Sequence, residues 1–456
     1  MTAEDWSRRL AAACAAYDVP AASFGILRLD DGGEQESLTV SAHGVLNTRY
    51  GAPVIADSVF QIGSISKIWT TTLIMQLVEA GRLTLDTPVR TVLPDFSLAD
   101  TTASAAITVR HLLTHTSGID GDVFTDHGPG DDAVRRYVEA LATAELAHPV
   151  GQGFSYCNSG FVVAGRIIEE LAEQSWDEAL RERIITPLGL EHTMTSADEA
   201  ILHSAAVGHR DDDGAQVPVE RWGIPRATGP AGIIVSRAAD VLAFAATFLR
   251  DGLALTKERL LRQESVAAMA SEEVSLRDLG PLTSTARGLG WTIEDWHGIH
   301  AIGHDGATVG QRAFLRLIPS QRVAAVLLLT GGKADGVYRR LFGSLAETFG
   351  ARLPDAVEPP HGYDAGDVSA YPGRYRNGES TVEIFADDGE LKLRTVADSV
   401  VFGPPDEEVL TLAPAGPGLF LTKSATATTW SPARFTSDAA GWPVLRAGAR
   451  CMRRFA

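Results

Sequence analysis

The sequence predicts an α/β domain followed by a small all-β domain. Three observations lead there. Strand-like runs sit at both ends of the first 350 residues, around a mostly helical middle; one helix near residue 64 is apolar on nearly every side; and short alternating runs recur beyond a proline-rich stretch. The 456 residues are 45% apolar and 21% charged, enough for two or three domains with a sizeable core. The balance of 40 basic against 58 acidic residues gives −18, a poor match for nucleic acid or an anionic membrane. Cys14, Cys157 and Cys451 are too few and too scattered for a disulfide framework, and no Cys-x-x-Cys zinc pattern exists.

The elements follow in order. Thr2 caps a helix over 3–17 with Trp6, Leu10 and Ala13 on one face. Strands at 22–29 and 37–42 flank Asp30-Asp31-Gly32-Gly33, a hairpin signal. Residues 64–80 form a buried helix through Ile68, Leu73, Ile74, Leu77 and Val78, stopped by Gly81. The stretch 86–250 is mostly helical, clearest at 133–143, 160–174 and 238–250. Strands return near 286–294, 299–303, 311–318 and 323–330, and a helix spans 335–349. Residues 353–370, with Pro354, Pro359, Pro360 and Gly362, read as a linker between domains 1–352 and 371–456. Strands at 380–386, 390–396, 409–412, 418–422, 427–431 and 443–447 make the second domain a sandwich or barrel. The N-terminus carries Glu4 and Asp5 and lacks a basic, then apolar, leader, so a cytoplasmic location is expected; no run reaches the length of a membrane span.

Chemistry concentrates at three places. In Ser64-Ile65-Ser66-Lys67, positions i and i+3 share a helix face, so the Ser64 hydroxyl and Lys67 amine can meet. Ser64 sits where helix N–H groups are unpaired, which suits a nucleophile whose intermediate carries an oxyanion. The chain has five lysines against 35 arginines, and Lys67 lies beside Ile68 and Trp69. A desolvated lysine can release its proton, which an arginine cannot; the alternative is a lysine that snorkels to the surface. In Tyr156-Cys157-Asn158, residues two apart point the same way if the segment is extended. Tyr156 could then relay a proton and Asn158 could hold a substrate amide; alternatively Asn158 caps the next helix. His304-Asp305-Gly306 follows a strand, with Gly306 allowing close approach and the Ala307 N–H able to pair with that of Ser64 as an oxyanion hole.

These motifs in this order resemble the class C β-lactamases and low-molecular-weight penicillin-binding proteins, with Tyr-x-Asn as the second motif and His-Asp-Gly in place of Lys-Thr-Gly. FQIGSISKIWT at 60–70, LTLDTPV at 83–89, ITVRHLLTHTSGI at 107–119 and LGLEHT at 188–193 are similar to the same superfamily. The resemblance covers about residues 15–350. It implies an antiparallel sheet flanked by helices with a mostly helical subdomain, and a serine acyl-transfer enzyme needing no metal or organic cofactor. The second domain resembles the lipocalin-like barrel that follows this catalytic domain in many such hydrolases. In class C enzymes the third-motif lysine helps hold the β-lactam carboxylate. His304 is a weaker anion anchor and Asp305 adds negative charge, which weakens the β-lactamase reading.

The expected site is therefore Ser64, Lys67, Tyr156, Asn158 and His304 for catalysis, Ser64 and Ala307 for the oxyanion, and Asp305, Gly306 and Arg446 for substrate. Among Arg446, Arg450, Arg453 and Arg454, Arg446 is the first candidate to hold a substrate carboxylate; surface charge on a final strand is the alternative. His111 and His115 have zinc-helix spacing, but Leu112 stands where a glutamate is needed, so they are expected to order a buried turn. Cys157 is not expected to be a nucleophile, Trp222 and Trp291 line a cleft or pack the core, and 120–132 reads as a solvated acidic loop. The absent leader and the barrel tail resemble the penicillin-binding-protein-type thioesterases, which release nonribosomal peptides by head-to-tail cyclisation at a D-residue. The partner would be a peptidyl thioester or ester, with a carrier protein as its donor, and neither nucleic acid nor membrane. A cytoplasmic esterase or D-stereospecific peptidase or amidase is the alternative; a β-lactamase or a non-catalytic binding protein follows behind.

Overall fold

The computed structural model describes residues 2–455 other than 122, 124, 281, 283, 379, 398–407, 438–440 and 442. Eight antiparallel strands form one sheet in the order Gln35–Gly44, Ala21–Leu29, Val323–Thr330, Gln311–Ile318, His300–Thr308, Thr292–Asp295, Ser284–Arg287 and Val274–Ser275. The central strand, VAAVLLLT, is buried at every position. Its period of two divides it between two cores: Ala324, Val326 and Leu328 enter one, and Val323, Ala325, Leu327 and Leu329 the other. The second core is covered by helices Ala3–Ala16 and Ala334–Glu347 through Trp6, Leu10, Leu341, Phe342 and Leu345. The first is covered by the helical middle, chiefly helices Ser66–Glu79, Asn158–Ala172 and Ala238–Leu249. Each fully buried Leu or Phe contributes about 1.5–3 kcal/mol on transfer scales.

Two departures from the sequence reading concern the helical part. The element expected at 64–80 opens as a tighter turn, Gly63–Ile65, before helix Ser66–Glu79. The middle also holds a hairpin, His209–Asp212 with Ala215–Pro218; HRDD has no apolar residue and AQVP is too short to carry a pattern.

The C-terminal part is a closed eight-stranded antiparallel barrel, consistent with a lipocalin-like domain. Its first strand, Gly373–Asn377, closes on its last, Arg450–Arg454, with Tyr375 opposite Arg454. Tyr375, Ile384, Phe420, Phe435, Leu445 and Met452 fill the interior. The first strand escaped the sequence reading because GRYRN offers a single apolar residue. The strand expected at 427–431 lies instead at Ser431–Ser437. The preceding residues serve another purpose: the N–H and hydroxyl groups of Thr428 and Thr429 all donate to Asp335 Oδ2 at 2.8–3.0 Å, tying barrel to catalytic part. No helix among the described residues is long and apolar enough to cross a membrane.

Candidate active site

Helix Ser66–Glu79 runs through the core with Lys67 wholly buried in its first turn. Its threonine hydroxyls are accommodated individually. Thr71 and Thr72 donate to the carbonyls of Lys67 and Ile68 one turn back, Thr70 donates to the Pro230 carbonyl, and Trp69 stacks on Phe244 at 3.9 Å. Thr70 and Trp69 thus tie the helix to neighbouring segments where Lys67 departs from it. Lys67 Nζ lies 3.1 Å from Ser64 Oγ and 2.7 Å from both Asn158 Oδ1 and the Ala231 carbonyl. A neutral amine has two N–H donors and one lone pair. Directing the donors to Asn158 and Ala231 turns the lone pair on Ser64, the geometry a base needs. Asn158 therefore positions the lysine. The helix N-cap is its neighbour Cys157, whose Sγ accepts from Gly160 N–H at 3.3 Å.

Ser64 and Ala307 come together because two glycines let their backbones touch. Gly63 has φ +53, and a Cβ on it would stand 2.5 Å from the Ala307 nitrogen. A Cβ on Gly306 would stand 1.9 Å from the Ile62 carbonyl oxygen and 3.2 Å from the Ser64 nitrogen. Strand His300–Thr308 pairs with Thr292–Asp295 only as far as Gly303. Beyond it, the edge 304–308 faces the Ser64 turn, and an extended substrate can add there as a strand.

Three basic side chains surround the Tyr156 ring. Lys67 Nζ is 4.9 Å from its ring centroid, and the guanidinium carbons of Arg450 and Arg287 lie 5.4 and 5.7 Å away. Arg450 arrives from the barrel. The hairpin between the last two barrel strands lies along residues 154–156: Arg446 Nη1 donates to the Phe154 carbonyl, Cys451 N–H to Ser155 Oγ, and Tyr156 N–H to the Ala449 carbonyl, at 2.9–3.1 Å. The structure thus places Arg446 on the backbone just before the second motif and brings Arg450 to the tyrosine face.

His304 is buried, with its ring 6.2 Å from that of Tyr156. Its Nδ1 lies 2.6 Å from the Asp305 carbonyl, which places a proton on Nδ1 and a lone pair on Nε2. Nε2 has no protein partner among the described residues, leaving it open to a hydroxyl or substrate N–H. Burial first, then Arg287 and Lys67, hold its pKa well below the ordinary 6.5. Asp305 points to the opposite sheet face, 56% exposed, with its carboxylate on Arg316 at 2.6 Å. Arg316 also binds the buried Glu294, so Asp305 belongs to a charge network behind the sheet and is not brought to the cleft. Gly306 is.

His111 and His115 have separate tasks: Nδ1 of His111 accepts from the Thr108 N–H, whereas His115 packs on Tyr156. Trp291 packs on Phe248 in the core, and Trp222 donates to the Ala206 carbonyl. The acidic 120–132 stretch is more engaged than a solvated loop, with Asp120 accepting from Gly378 of the barrel, and Asp131 pairing with Arg226.

His115 and His304 set a pH prediction. Burial, then nearby cations, depress both. Below pH 6.5 the unfolded chain takes protons that the folded one refuses. Stability is therefore full above 6.5 and is lost as pH falls, by up to about 1.4 kcal/mol per pH unit for each histidine. Urea unfolding at pH 7.5 and 5.5 should show this loss, and His304→Asn should shrink it; an equal loss in that variant would refute the His304 share.

A family model described as beta-lactamase matches residues 9–347. Penicillin-binding protein 4 of Amycolatopsis lactamdurans is 41% identical over 373 residues, 81% of this chain and 96% of that one. The crystal structure of SurE superposes with a TM-score of 0.77 at 25% identity over 99% of both chains. A D-stereospecific amidohydrolase from Streptomyces sp. superposes with a TM-score of 0.58 at 25% identity, over 75% of this chain and 99% of that one.

Proposed function

The chain belongs to the beta-lactamase family of serine acyl-transfer enzymes, and from that premise we propose that it releases peptidyl thioesters or esters, closing them head-to-tail at a D-residue. The observation that carries the acyl-transfer reading is the Lys67 amine, held by Asn158 and Ala231 so that it faces Ser64. Lys67 takes the Ser64 proton as Oγ attacks the acyl carbon. The N–H groups of Ser64 and Ala307 hold the oxyanion. The proton then passes through Lys67 and Tyr156 to the departing thiol or alcohol, leaving an acyl-serine. The peptide's own amine attacks that ester and loses its proton along the same path in reverse, which frees Ser64 and yields the amide.

Three features support the finer reading over β-lactam hydrolysis. His304 is neutral and offers a lone pair, a poor anchor for the carboxylate of a β-lactam. The open edge at 304–308 suits an extended peptide. The likeness to a D-stereospecific amidohydrolase favours a D-residue at the acyl position. The same likeness favours a second reading, a D-specific peptidase or amidase, in which water replaces the amine.

The test is a hexapeptidyl thioester mimic ending in a D-residue, with products resolved by mass. Cyclic peptide from wild type and none from Ser64→Ala is expected. Linear acid alone would move the assignment to the hydrolytic reading, and turnover by Ser64→Ala at the wild-type rate would end the acyl-serine mechanism.

A further inference from the structure

His115 touches three successive residues of the tyrosine segment. Its carbonyl accepts the Ser155 N–H at 3.1 Å, and its Nδ1 accepts the Cys157 N–H at 3.0 Å. Between these, its ring lies on that of Tyr156, centroids 4.3 Å apart and planes 26° from parallel. Residues 153–157 have no helix or strand of their own, so partners of this kind fix the direction of their backbone. His115 is itself held firmly. It is 2% exposed, and Phe154 and Phe161 pack against its ring. Its backbone has φ +59, a left-handed conformation uncommon outside glycine, just after helix Val109–Leu113. That turn delivers carbonyl and ring to the same segment.

We propose that His115 is a positioning residue for Tyr156, its ring setting the plane of the phenol and its Nδ1 lone pair setting the backbone on the Cys157 side. The proposal rests on the reading above, in which Tyr156 moves protons at Ser64 and Lys67. It gives the histidine one working tautomer, with its proton on Nε2. It also links His115 to Lys67 by a second route, because Cys157 caps the helix that begins with Asn158.

Two variants separate ring from lone pair. His115→Asn tolerates the left-handed backbone and keeps an acceptor in the Nδ1 position, but has no ring for Tyr156. His115→Phe keeps a ring and loses the acceptor. With p-nitrophenyl butyrate, kcat should fall about 10²-fold in His115→Phe and about tenfold in His115→Asn, with KM within about twofold of wild type in both. Amide exchange of the 155–157 peptide should quicken in His115→Phe and stay near wild type in His115→Asn. A folded His115→Phe protein with wild-type kcat, or one whose loss lies in KM, would overturn the proposal. Ser64→Ala is the control for the underlying reading: if it cleaves the ester as wild type does, that reading falls, and the exchange arm alone decides His115, with wild-type exchange in His115→Phe counting against it.

Discussion

Lys67→Arg is expected to lower kcat/KM for any ester or thioester substrate by about 10⁴-fold, and Lys67→Met to do the same. The argument depends on proton affinity and on shape. Nζ stands 3.1 Å from Ser64 Oγ with two acceptors at 2.7 Å, a site with room for one small nitrogen. Arginine brings charge but keeps its proton at every working pH, so it cannot take one from Ser64. Its planar fork is also too wide for acceptors set around an amine. Methionine keeps the volume and removes the base. Intact-mass detection of acyl-enzyme after mixing with an activated ester is the direct measurement, since it reads the step in which Lys67 acts. An acylation rate in either variant within tenfold of wild type would remove Lys67 from the mechanism.

Gly306→Ala should cost about 10²–10³ in kcat and lower the melting temperature. The added methyl would meet the Ile62 carbonyl oxygen at 1.9 Å, so the strand or the Ser64 turn must retreat. Retreat separates the Ser64 and Ala307 N–H groups, and loss of one oxyanion donor is worth about this much. Overpacking of the contact adds about 1–3 kcal/mol of instability. Gly343→Ala is the matched control: it sits in helix Ala334–Glu347 with nothing within 4 Å of the new methyl, and its kcat should equal wild type. Equal activity in Gly306→Ala would show that the backbone contact is not the oxyanion hole.

The parts of this site that can be read from sequence are local ones. Ser64 and Lys67 are three residues apart, and Tyr156 and Asn158 two, so helix and extended periodicities place them. Strand periodicity also corrects the placement of Asp305 among the substrate residues: adjacent residues face opposite sides, so with His304 in the cleft, Asp305 lies behind it, paired with Arg316. His115 is harder. It meets Cys157 across 42 positions, and only the three-dimensional fold, with its left-handed turn, makes them neighbours. Arg450 and Arg287 are harder still. Four arginines crowd the C-terminus, and choosing between Arg446 and Arg450 requires the docking of the barrel hairpin, which composition does not encode. The long helices and the inner strands of the sheet are legible because apolar periodicity carries them; the one strand expected at 286–294 is two, Ser284–Arg287 and Thr292–Asp295, turning back at Gly288 and Gly290. The barrel's first strand is not legible, because one buried tyrosine does not make a pattern.

That hairpin bears on how the protein can be divided. Three consecutive residues, Phe154 to Tyr156, place a backbone or hydroxyl group on Arg446, Cys451 and Ala449 of the barrel. A polypeptide cut between the catalytic part and the barrel would leave those groups to water and the tyrosine segment unsupported. The two domains are therefore not exchangeable modules. A barrel borrowed from a relative would have to bring a hairpin of the same reach, and substitutions at the hairpin tip and in residues 154–156 should be inherited together.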